Sequence, residues 1–537
     1  MEQHRRFISN PVLPGSHPDP SILRVRDEYY LATSTFEWYP GVRLHRSGDL
    51  VTWTAIGGAL DEQRLLDLTG CPDSAGVWAP DLSYADETFY LVYSNISTYA
   101  GGFTDCPNYV VTAPTIEGPW SDPVLLHARG FDASLLHDGD ESWLINLAHD
   151  WRPGHGGSLG LEATRFDRKR RLLAGAPEQI MLPERAGWIE GPNLYRIGDW
   201  YYLLTADGGT GYGHQVTVAR SRTLHGPYER DPHGPLLTAR DHPDLPLQKA
   251  GHGSLVRTSA GEWYLAYLTA RPHGRHGPCI LGRETALAQV AWTDDGWPTV
   301  PGGLPSLSVP APSTDKVTQY IESGRDGFDE LVLGSQWSTL RRPAAADWLS
   351  LSERPSHLRL RGGRSPRSLV GASLVARRAA AAHCSFEATM DYRPLTTHHL
   401  AGVTAYYNSE NWYFLHVTVD DDGQPVVRVA SSNRGRVSVD ELEQRALGDT
   451  TRLSLGLDLA DAELTFRYDA GDGWAQVGAA YDATVLSDEH AEVIEDGVIR
   501  ALGFTGTFLG LWAWDLSGGG HPADFGDATY STTYSAL

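Results

Sequence analysis

The 537-residue chain is poor in cysteine, methionine and positive charge. Its four cysteines (Cys71, Cys106, Cys279 and Cys384) are scattered without a CxxC pair, which argues against a disulfide framework or a zinc site. The 44 basic residues stand against 67 acidic ones, and the net charge of −23 argues against nucleic acid or an anionic membrane as partner. No run reaches the roughly 18 apolar residues of a membrane span, and no apolar signal segment begins the chain. We therefore expect a cytoplasmic protein.

What the chain does have is glycine and aromatic residues, with 57 Gly, 17 Trp and 24 Tyr. Turn-rich, aromatic-rich composition favours many short strands over helices. The apolar faces of sugar rings stack on aromatic side chains, so a neutral carbohydrate suits this composition better than a charged ligand. The length allows two large all-β domains or three average ones.

A repeat runs through the first three hundred residues. Each unit has a small or polar anchor, two apolar-biased positions, a polar turn and an aromatic nine residues after the anchor. The anchors are Ser21, Asp81, Ser134, Asn193 and Ser254, and the aromatics are Tyr30, Tyr90, Trp143, Tyr202 and Trp263. Units of about 60 residues suit four-stranded sheets, and five of them predict a β-propeller over residues from about 10 to 310. The alternatives are a β-sandwich with chance hairpins and a solenoid.

The residues two or three places before each anchor should meet at one mouth of a propeller. They are Asp19, Ala79, Asp132, Glu190 and His252, so three of the five are carboxylates. Three converging carboxylates indicate either a cation site or acid–base catalysis. Apolar neighbours favour catalysis, because they raise the pKa of a carboxyl group toward the value that a general acid needs. A pair of carboxylates of this kind is typical of glycosidases.

The motifs HPDPSI, VWAPD, FDASL, WIEGPNLY, GHGSL and GRET, in this order and phase, resemble glycoside hydrolase family 43. The resemblance covers essentially the whole chain and is closest to the two-domain β-xylosidases. It implies an all-β chain, with a five-bladed β-propeller followed by a C-terminal antiparallel β-sandwich. By resemblance, Asp19 is the general base, Glu190 the general acid, and Asp132 the third carboxylate that orients the acid and raises its pKa.

The resemblance also implies substrate-binding residues. Phe36 and Trp78 match hydrophobic walls around the terminal sugar, and Arg283 matches a ligand of the sugar hydroxyls. His252 matches a central histidine that binds substrate or helps to hold a divalent cation, and its alternative role is a core histidine. No cofactor is expected for the chemistry, and a cation such as Ca²⁺ is considered only as a structural ion.

The stretch NLAHDWRPG, residues 146–154, departs from the family pattern. His149 stands where the family often has Trp, and Trp151 stands where it has His. We expect a rebuilt wall of the pocket here, which leaves the choice of sugar and of leaving group open.

The second half of the chain begins after a Gly- and Pro-rich exit at 296–312. Period-two alternation from about residue 325 predicts an antiparallel sandwich, so we divide the chain into a catalytic propeller (1–312) and a sandwich (313–537). By resemblance, a sandwich loop closes the pocket with Phe508, whose alternative place is the sandwich core. Asp326, Asp329 and Asp524 are candidate ligands of a structural calcium ion.

Together these features predict an inverting exo-glycoside hydrolase that releases D-xylose from the non-reducing end of β-1,4-xylo-oligosaccharides. The nearest alternative is an α-L-arabinofuranosidase, or one enzyme with both activities. A non-catalytic sugar-binding propeller is a third interpretation, but it has no need for the set of carboxylates. The resemblance also leads us to expect a homo-oligomer, a dimer or tetramer.

Overall fold

The computed structural model describes residues 6–101, 103–152, 157–183, 189–314, 324–440 and 443–532. Within these ranges, no helix has both the length and the apolar character needed to cross a membrane. The described residues fold almost entirely as antiparallel β-sheet, in a propeller followed by a sandwich. The fold predicted from the sequence is confirmed.

Each repeat unit forms one blade, because each contains hairpins of half-buried strands joined by tight polar turns. Blade 1 comprises Ser21–Val25, Glu28–Thr33, Gly41–Ser47 and Thr54–Leu60. Blade 2 comprises Gly76–Ala85, Thr88–Ile96, Asn108–Ala113 and Val124–His127. Blade 3 comprises Ser134–Asp138, Glu141–Asp150, Gly157–Asp167 and Leu172–Met181.

The last two blades follow the same plan. Blade 4 comprises Ile189–Ile197, Trp200–Asp207, Gln215–Ser221 and Glu229–Arg230, with Leu237–Thr238 as an extra short strand. Blade 5 comprises Gln248–Arg257, Trp263–Ala270, Glu284–Trp292 and Pro298–Thr299. A 3₁₀ turn at Pro301–Gly303 follows, and strand Ser308–Pro310 then returns to pair with Phe7–Ser9. This pairing brings the two ends of the propeller together.

The five anchors join neighbouring blades through side-chain hydrogen bonds around the axis. Every one of the five blade junctions has such a bond, so the bonds form a closed ring. Asp81 serves two junctions with its two carboxylate oxygens. The bonds are Ser21 Oγ to Asp81 (3.1 Å), Leu135 N to Asp81 (2.8 Å), Ser134 Oγ to Pro192 O (2.5 Å), Asn193 Nδ2 to Gly253 O (3.2 Å) and Ile22 N to Ser254 Oγ (3.2 Å).

The sandwich consists of two antiparallel sheets around the largest apolar core of the chain. In spatial order, one sheet contains Leu349–Ser350, Leu358–Arg361, Pro522–Thr532, His383–Asp391, Arg452–Ala460, Glu463–Asp469 and Ala475–Asp482, and Arg325–Asp326 pairs with Pro522–Thr532. The other contains Arg436–Val439, Pro425–Asn433, Asn411–Val419, His399–Asn408, Phe508–Asp515, Ser373–Arg378 and Ser338–Leu340, and Arg445–Ala446 pairs with Pro425–Asn433.

The remaining elements join the sandwich to the propeller. Trp38–Tyr39, which lies between two strands of blade 1, pairs with Ser338–Leu340 and so extends a sandwich sheet. A 3₁₀ turn at Ala483–Leu486 and one helical turn at Asp488–Ala491 precede the hairpin Val493–Glu495 and Val498–Ala501. This hairpin lies at the propeller mouth, where it matters for the site.

Candidate active site

A left-handed residue stands two places before every anchor, at the entry to each blade's first strand. These residues are Asp19 (φ 55°), Ala79 (33°), Asp132 (56°), Gly191 (55°) and His252 (46°). Pairing slips at the same place in blades 2, 4 and 5. Such bulges re-aim side chains and are common beside active sites. In blades 1, 3 and 5 the side chain of the left-handed residue, Asp19, Asp132 or His252, faces the mouth. In blade 4 the left-handed residue is a glycine without a side chain, and the preceding Glu190 lines the mouth instead.

The structure brings the three predicted carboxylates together. Asp19, Asp132 and Glu190 line one cavity of about 460 Å³ at the propeller mouth. Asp19 and Asp132 are each only 8% exposed. A cavity of this size is in the range of small-ligand sites.

Asp19 is held by residues of blades 1 and 5, one of which is supported in turn by blade 2. Ser34 Oγ donates a 2.6 Å hydrogen bond to one carboxylate oxygen, and Ser34 itself accepts a bond from Ala79 N. The other oxygen lies 3.8 Å from Arg283 Nη1 and 3.6 Å from His252 Nδ1. Both neighbours of Asp19 are prolines, which restrict the backbone. The carboxylate is therefore fixed in direction, as activation of a single water requires.

Glu190 has the properties of a general acid. Burial first, and then the negative charge of Asp19, raises the pKa of Glu190 to about 7, although Arg283 opposes the shift. Asp132 is affected in the same direction: burial and the charges of Glu190 and Asp19 raise its pKa. Gly191 N donates a 3.0 Å hydrogen bond to Asp132, which links it to the residue after Glu190. With a pKa of about 7, Glu190 is largely protonated below neutral pH and can donate its proton there.

Aromatic side chains wall the cavity. Phe36 and Trp78, both predicted, are joined by Phe504, whose ring centroid lies 5.9 Å from that of Phe36 and 5.5 Å from that of Trp78. Arg283 is 4% exposed, packs 4.3 Å from the Phe504 ring centroid and donates to Thr210 Oγ1 at 2.7 Å. Its Nε has no partner among the residues that the structure describes. The wall thus combines apolar faces with a guanidinium group, which suits a sugar.

The assignment of Phe508 to the pocket needs correction. Phe508 begins a sandwich strand, is 1% exposed and stacks on Trp38 with the ring centroids 4.0 Å apart. Phe504, four residues earlier, is the aromatic that lines the cavity. The sequence held a signal for this: Phe504 lies between Gly503 and Gly506, as loop residues do, whereas Phe508 opens the apolar run FLGLWAW.

The sandwich reaches the cavity through the hairpin 493–501 and the loop after it. Gly101 N donates to Ile499 O at 3.3 Å, and Leu502 N donates to Tyr99 Oη at 3.3 Å. Phe504 N donates to Ser74 Oγ at 3.2 Å. These bonds fasten the hairpin to blade 2, so one side of the propeller mouth is closed.

His252 lines the cavity beside Asp19, and burial lowers its pKa. Within the described ranges, no group of three or more His, Cys, Asp or Glu side chains is arranged to hold a metal ion. A cation at His252 therefore stays a prediction. His252 packs directly on Gly191, where a Cβ would lie 3.0 Å from its ring.

The proposed calcium ligands of the sandwich have other partners. Asp326 accepts hydrogen bonds from Gln336 and the Trp337 indole, and Asp329 accepts one from Ser356 Oγ. Asp524 is paired with two arginines, Arg354 and Arg359. Because these contacts occupy the carboxylates separately, the three residues do not form the candidate calcium site.

The stretch that departs from the family pattern contributes one residue to the cavity. His149 lines the cavity, whereas Trp151 lies outside it and is 54% exposed. Residues 153–154 of this stretch lie outside the described ranges.

Further residues that line the cavity were not predicted from the sequence, because none of them stands in phase with an anchor. They include Tyr99, Thr104, Cys106, Thr210 and His214.

A propeller whose mouth holds a fixed carboxylate and a protonated one in an aromatic pocket defines a glycoside hydrolase. Comparison with known proteins supplies the family. Residues 8–298 match the model described as glycosyl hydrolases family 43, and residues 325–531 match the β-xylosidase C-terminal concanavalin A-like domain. The chain belongs to glycosyl hydrolase family 43.

Proteins from other organisms are similar to this chain over nearly its whole length. The xylosidase/arabinosidase 43B of Humicola insolens is 41% identical, with 96% of each chain covered. The xylan 1,3-β-xylosidase of a Vibrio species is 40% identical, over 96% of this chain and 98% of that one. The crystal structure of a xylan β-1,4-xylosidase from Bacillus halodurans matches with a TM-score of 0.93 and 43% identity, over 98% of this chain and 100% of the other.

Proposed function

We propose that this enzyme is an inverting β-xylosidase that removes D-xylose from the non-reducing end of β-1,4-xylo-oligosaccharides. The observation that carries the proposal is the pairing, in one cavity, of the oriented carboxylate Asp19 with Glu190, whose pKa is raised to about 7. The xylosidase names of the relatives support the choice of sugar.

The reaction follows from the states of these two groups. Asp19 accepts a proton from water as the water oxygen attacks the anomeric carbon. Glu190 gives its proton to the glycosidic oxygen as the bond to the leaving sugar breaks. One displacement inverts the anomeric centre. Asp19 ends protonated and Glu190 ionised, and proton exchange with solvent restores both. Burial and the negative charge of Asp19 keep the pKa of Glu190 high, and Asp132 positions the neighbouring backbone by accepting the hydrogen bond from Gly191 N.

Exo action is supported by the closed side of the mouth. The hairpin 493–501 and Phe504 occupy the side next to blade 2, and the aromatic walls surround a volume of about 460 Å³. A chain end fits into such a pocket, whereas the middle of a polymer requires an open cleft.

Arabinofuranosidase activity is the second candidate. Relatives named xylosidase/arabinosidase and non-reducing end α-L-arabinofuranosidase, the latter from Bacteroides ovatus at 34% identity, favour it. His149, in place of the tryptophan frequent in the family, leaves the third-blade wall less bulky. Side-by-side assays with aryl β-D-xyloside and aryl α-L-arabinofuranoside rank the two activities, and xylobiose isomers test the 1,4 linkage against the 1,3 linkage.

The catalytic assignment is tested with a matched pair of variants. Asp19→Asn should lower kcat by about 10²–10⁴-fold, the usual contribution of general acid–base catalysis, while xylose binding persists. Asp49 is also a buried carboxylate of blade 1, but its partners are Arg6, Ser47 and the turn that follows it. Asp49→Asn should therefore affect stability rather than kcat. Equal kcat values for the two variants would contradict the role of Asp19.

Two further measurements test the mechanism itself. Glu190→Ala should lose far more activity on xylobiose than on an activated aryl xyloside, because only the poor leaving group needs protonation. Equal losses would refute the acid role. Proton NMR of the first product should show α-xylose; β-xylose would exclude inversion.

A homo-oligomer, dimer or tetramer, and a cytoplasmic location are proposed together with the activity. Light scattering of the purified chain and fractionation of the source cells test them.

A further inference from the structure

Two aromatic side chains lie stacked on the surface at the rim of the cavity. Phe103 is 70% exposed and Trp151 is 54% exposed, and their ring centroids are 4.9 Å apart with planes inclined by 26°. Phe103 comes from the loop after the second strand of blade 2, and Trp151 directly follows the second strand of blade 3. Large apolar side chains gathered in water mark binding surfaces more often than chance.

The two rings continue a wall of the cavity. Thr104, next to Phe103, and His149, two residues before Trp151, both line the cavity, and Thr104 Oγ1 lies 3.3 Å from His149 Nδ1. Residues two apart on an extended strand share a face and are about 7 Å apart along it. The strand 141–150 ends at the propeller mouth, so Trp151 lies beyond His149 on the way to solvent.

The position of Phe103 and Trp151 suits contact with the leaving group, the part of the oligosaccharide beyond the bond that is cut. The walls formed by Phe36, Trp78 and Phe504 enclose the sugar that is cut off, and the hairpin 493–501 closes the mouth beside Gly101. The remainder of an oligosaccharide has to pass the open rim. The charge of Arg152, beside Trp151, is compensated by a bidentate pair with Asp150, at 2.6 and 2.8 Å. The aromatic faces therefore stand beside a compensated arginine, which suits a neutral sugar.

We propose that Phe103 and Trp151 form a stacking platform for the pyranose ring on the leaving-group side of the scissile bond. The platform rests on the proposed xylosidase activity and makes it more specific: the preferred substrates are oligosaccharides whose second ring covers the aromatic pair. It also gives the unusual Trp151 of the third blade a function.

The experiment compares two substrates that share the xylosyl group. Xylobiose carries a second ring, whereas β-D-xylosyl fluoride has a single atom as its leaving group. Trp151→Ala and Phe103→Ala should each lower kcat/KM on xylobiose by about threefold to tenfold more than on xylosyl fluoride, chiefly through KM. Trp151→Tyr, which keeps a ring, should restore most of the loss. Trp474, 44% exposed on the sandwich, provides the control, and Trp474→Ala should leave both substrates unaffected.

The outcomes separate the two proposals. Failure of the wild-type enzyme to hydrolyse either substrate would overturn the xylosidase assignment. Hydrolysis of both, with the same ratio of rates in Trp151→Ala, Phe103→Ala and wild type, would overturn the platform alone. Thermal denaturation of each variant shows that the fold is intact, as expected for two surface side chains.

Discussion

Replacing Gly191 by Ala tests whether the close contact behind the catalytic acid is needed. Gly191 has φ of +55°, and a Cβ there would lie 3.0 Å from Cε1 and Nε2 and 3.1 Å from Nδ1 of His252. The left-handed backbone costs an L-residue about 1–2 kcal/mol. The contact adds a displacement of a few tenths of an ångström, which His252 or the backbone beside Glu190 must absorb.

We expect Gly191→Ala to lower kcat/KM by about tenfold, because shifts of the order of 1 Å in an active site cost about 10²-fold. Gly198→Ala is the matched control: Gly198 lies in the same blade with φ of +61°, and a Cβ there would meet no heavy atom within 4 Å. It should lose about 1 kcal/mol of stability and no activity. Xyloside kinetics and urea denaturation measure both effects. Full activity in Gly191→Ala, with the same stability loss as the control, would refute the positioning role of this contact.

Three other perturbations address the acid, the pocket and the ring. Activity should fall as pH rises through about 7, where Glu190 loses its proton. Asp207→Asn removes a charge that raises this pKa, so the alkaline limb should move to lower pH, and an unmoved limb in the kcat/KM profile would contradict this contribution. Phe504→Ala should raise KM with little change in Tm. Phe508→Ala should instead cost about 3–5 kcal/mol of stability and leave KM unchanged. The reverse pattern would show that Phe508, not Phe504, contacts the substrate. Asp81→Ala leaves two buried donors, Ser21 Oγ and Leu135 N, without their acceptor. Each should cost about 1–3 kcal/mol of stability, measured by denaturation. Wild-type stability would contradict the role of the hydrogen-bonded ring of anchors.

The propeller and its three carboxylates were predictable because they depend on local pattern. Each blade is one continuous segment, so the period of about 60 residues can be read from the sequence alone. The left-handed residue at the blade entry occurs at the same place in every unit, which is why Asp19, Asp132 and His252 stand in phase. Glu190 is one residue out of phase because the left-handed position in its blade is Gly191, on which the His252 ring packs.

The sandwich side of the pocket was less predictable because its contacts join distant segments. Ser74 meets Phe504, and Gly101 meets Ile499, across about 400 residues of chain. No local pattern encodes such a pairing, so resemblance alone pointed to an aromatic from this region, and it pointed to Phe508. The same holds for the partners of Asp524: the sequence shows an acid, but not the two arginines that a neighbouring strand and loop bring to it.

The hydrogen-bonded ring of anchors has a consequence for how the catalytic distance is maintained. Asp19 belongs to blade 1 and Glu190 to blade 4, and two routes around the axis connect them: one through Asp81 and Ser134, the other through Ser254. A loop that carried the acid could move alone, but here a displacement in either direction stretches bonds on both routes. The distance between Asp19 and Glu190 is thus set by all five blade junctions together, and substitutions far from the sugar can change it.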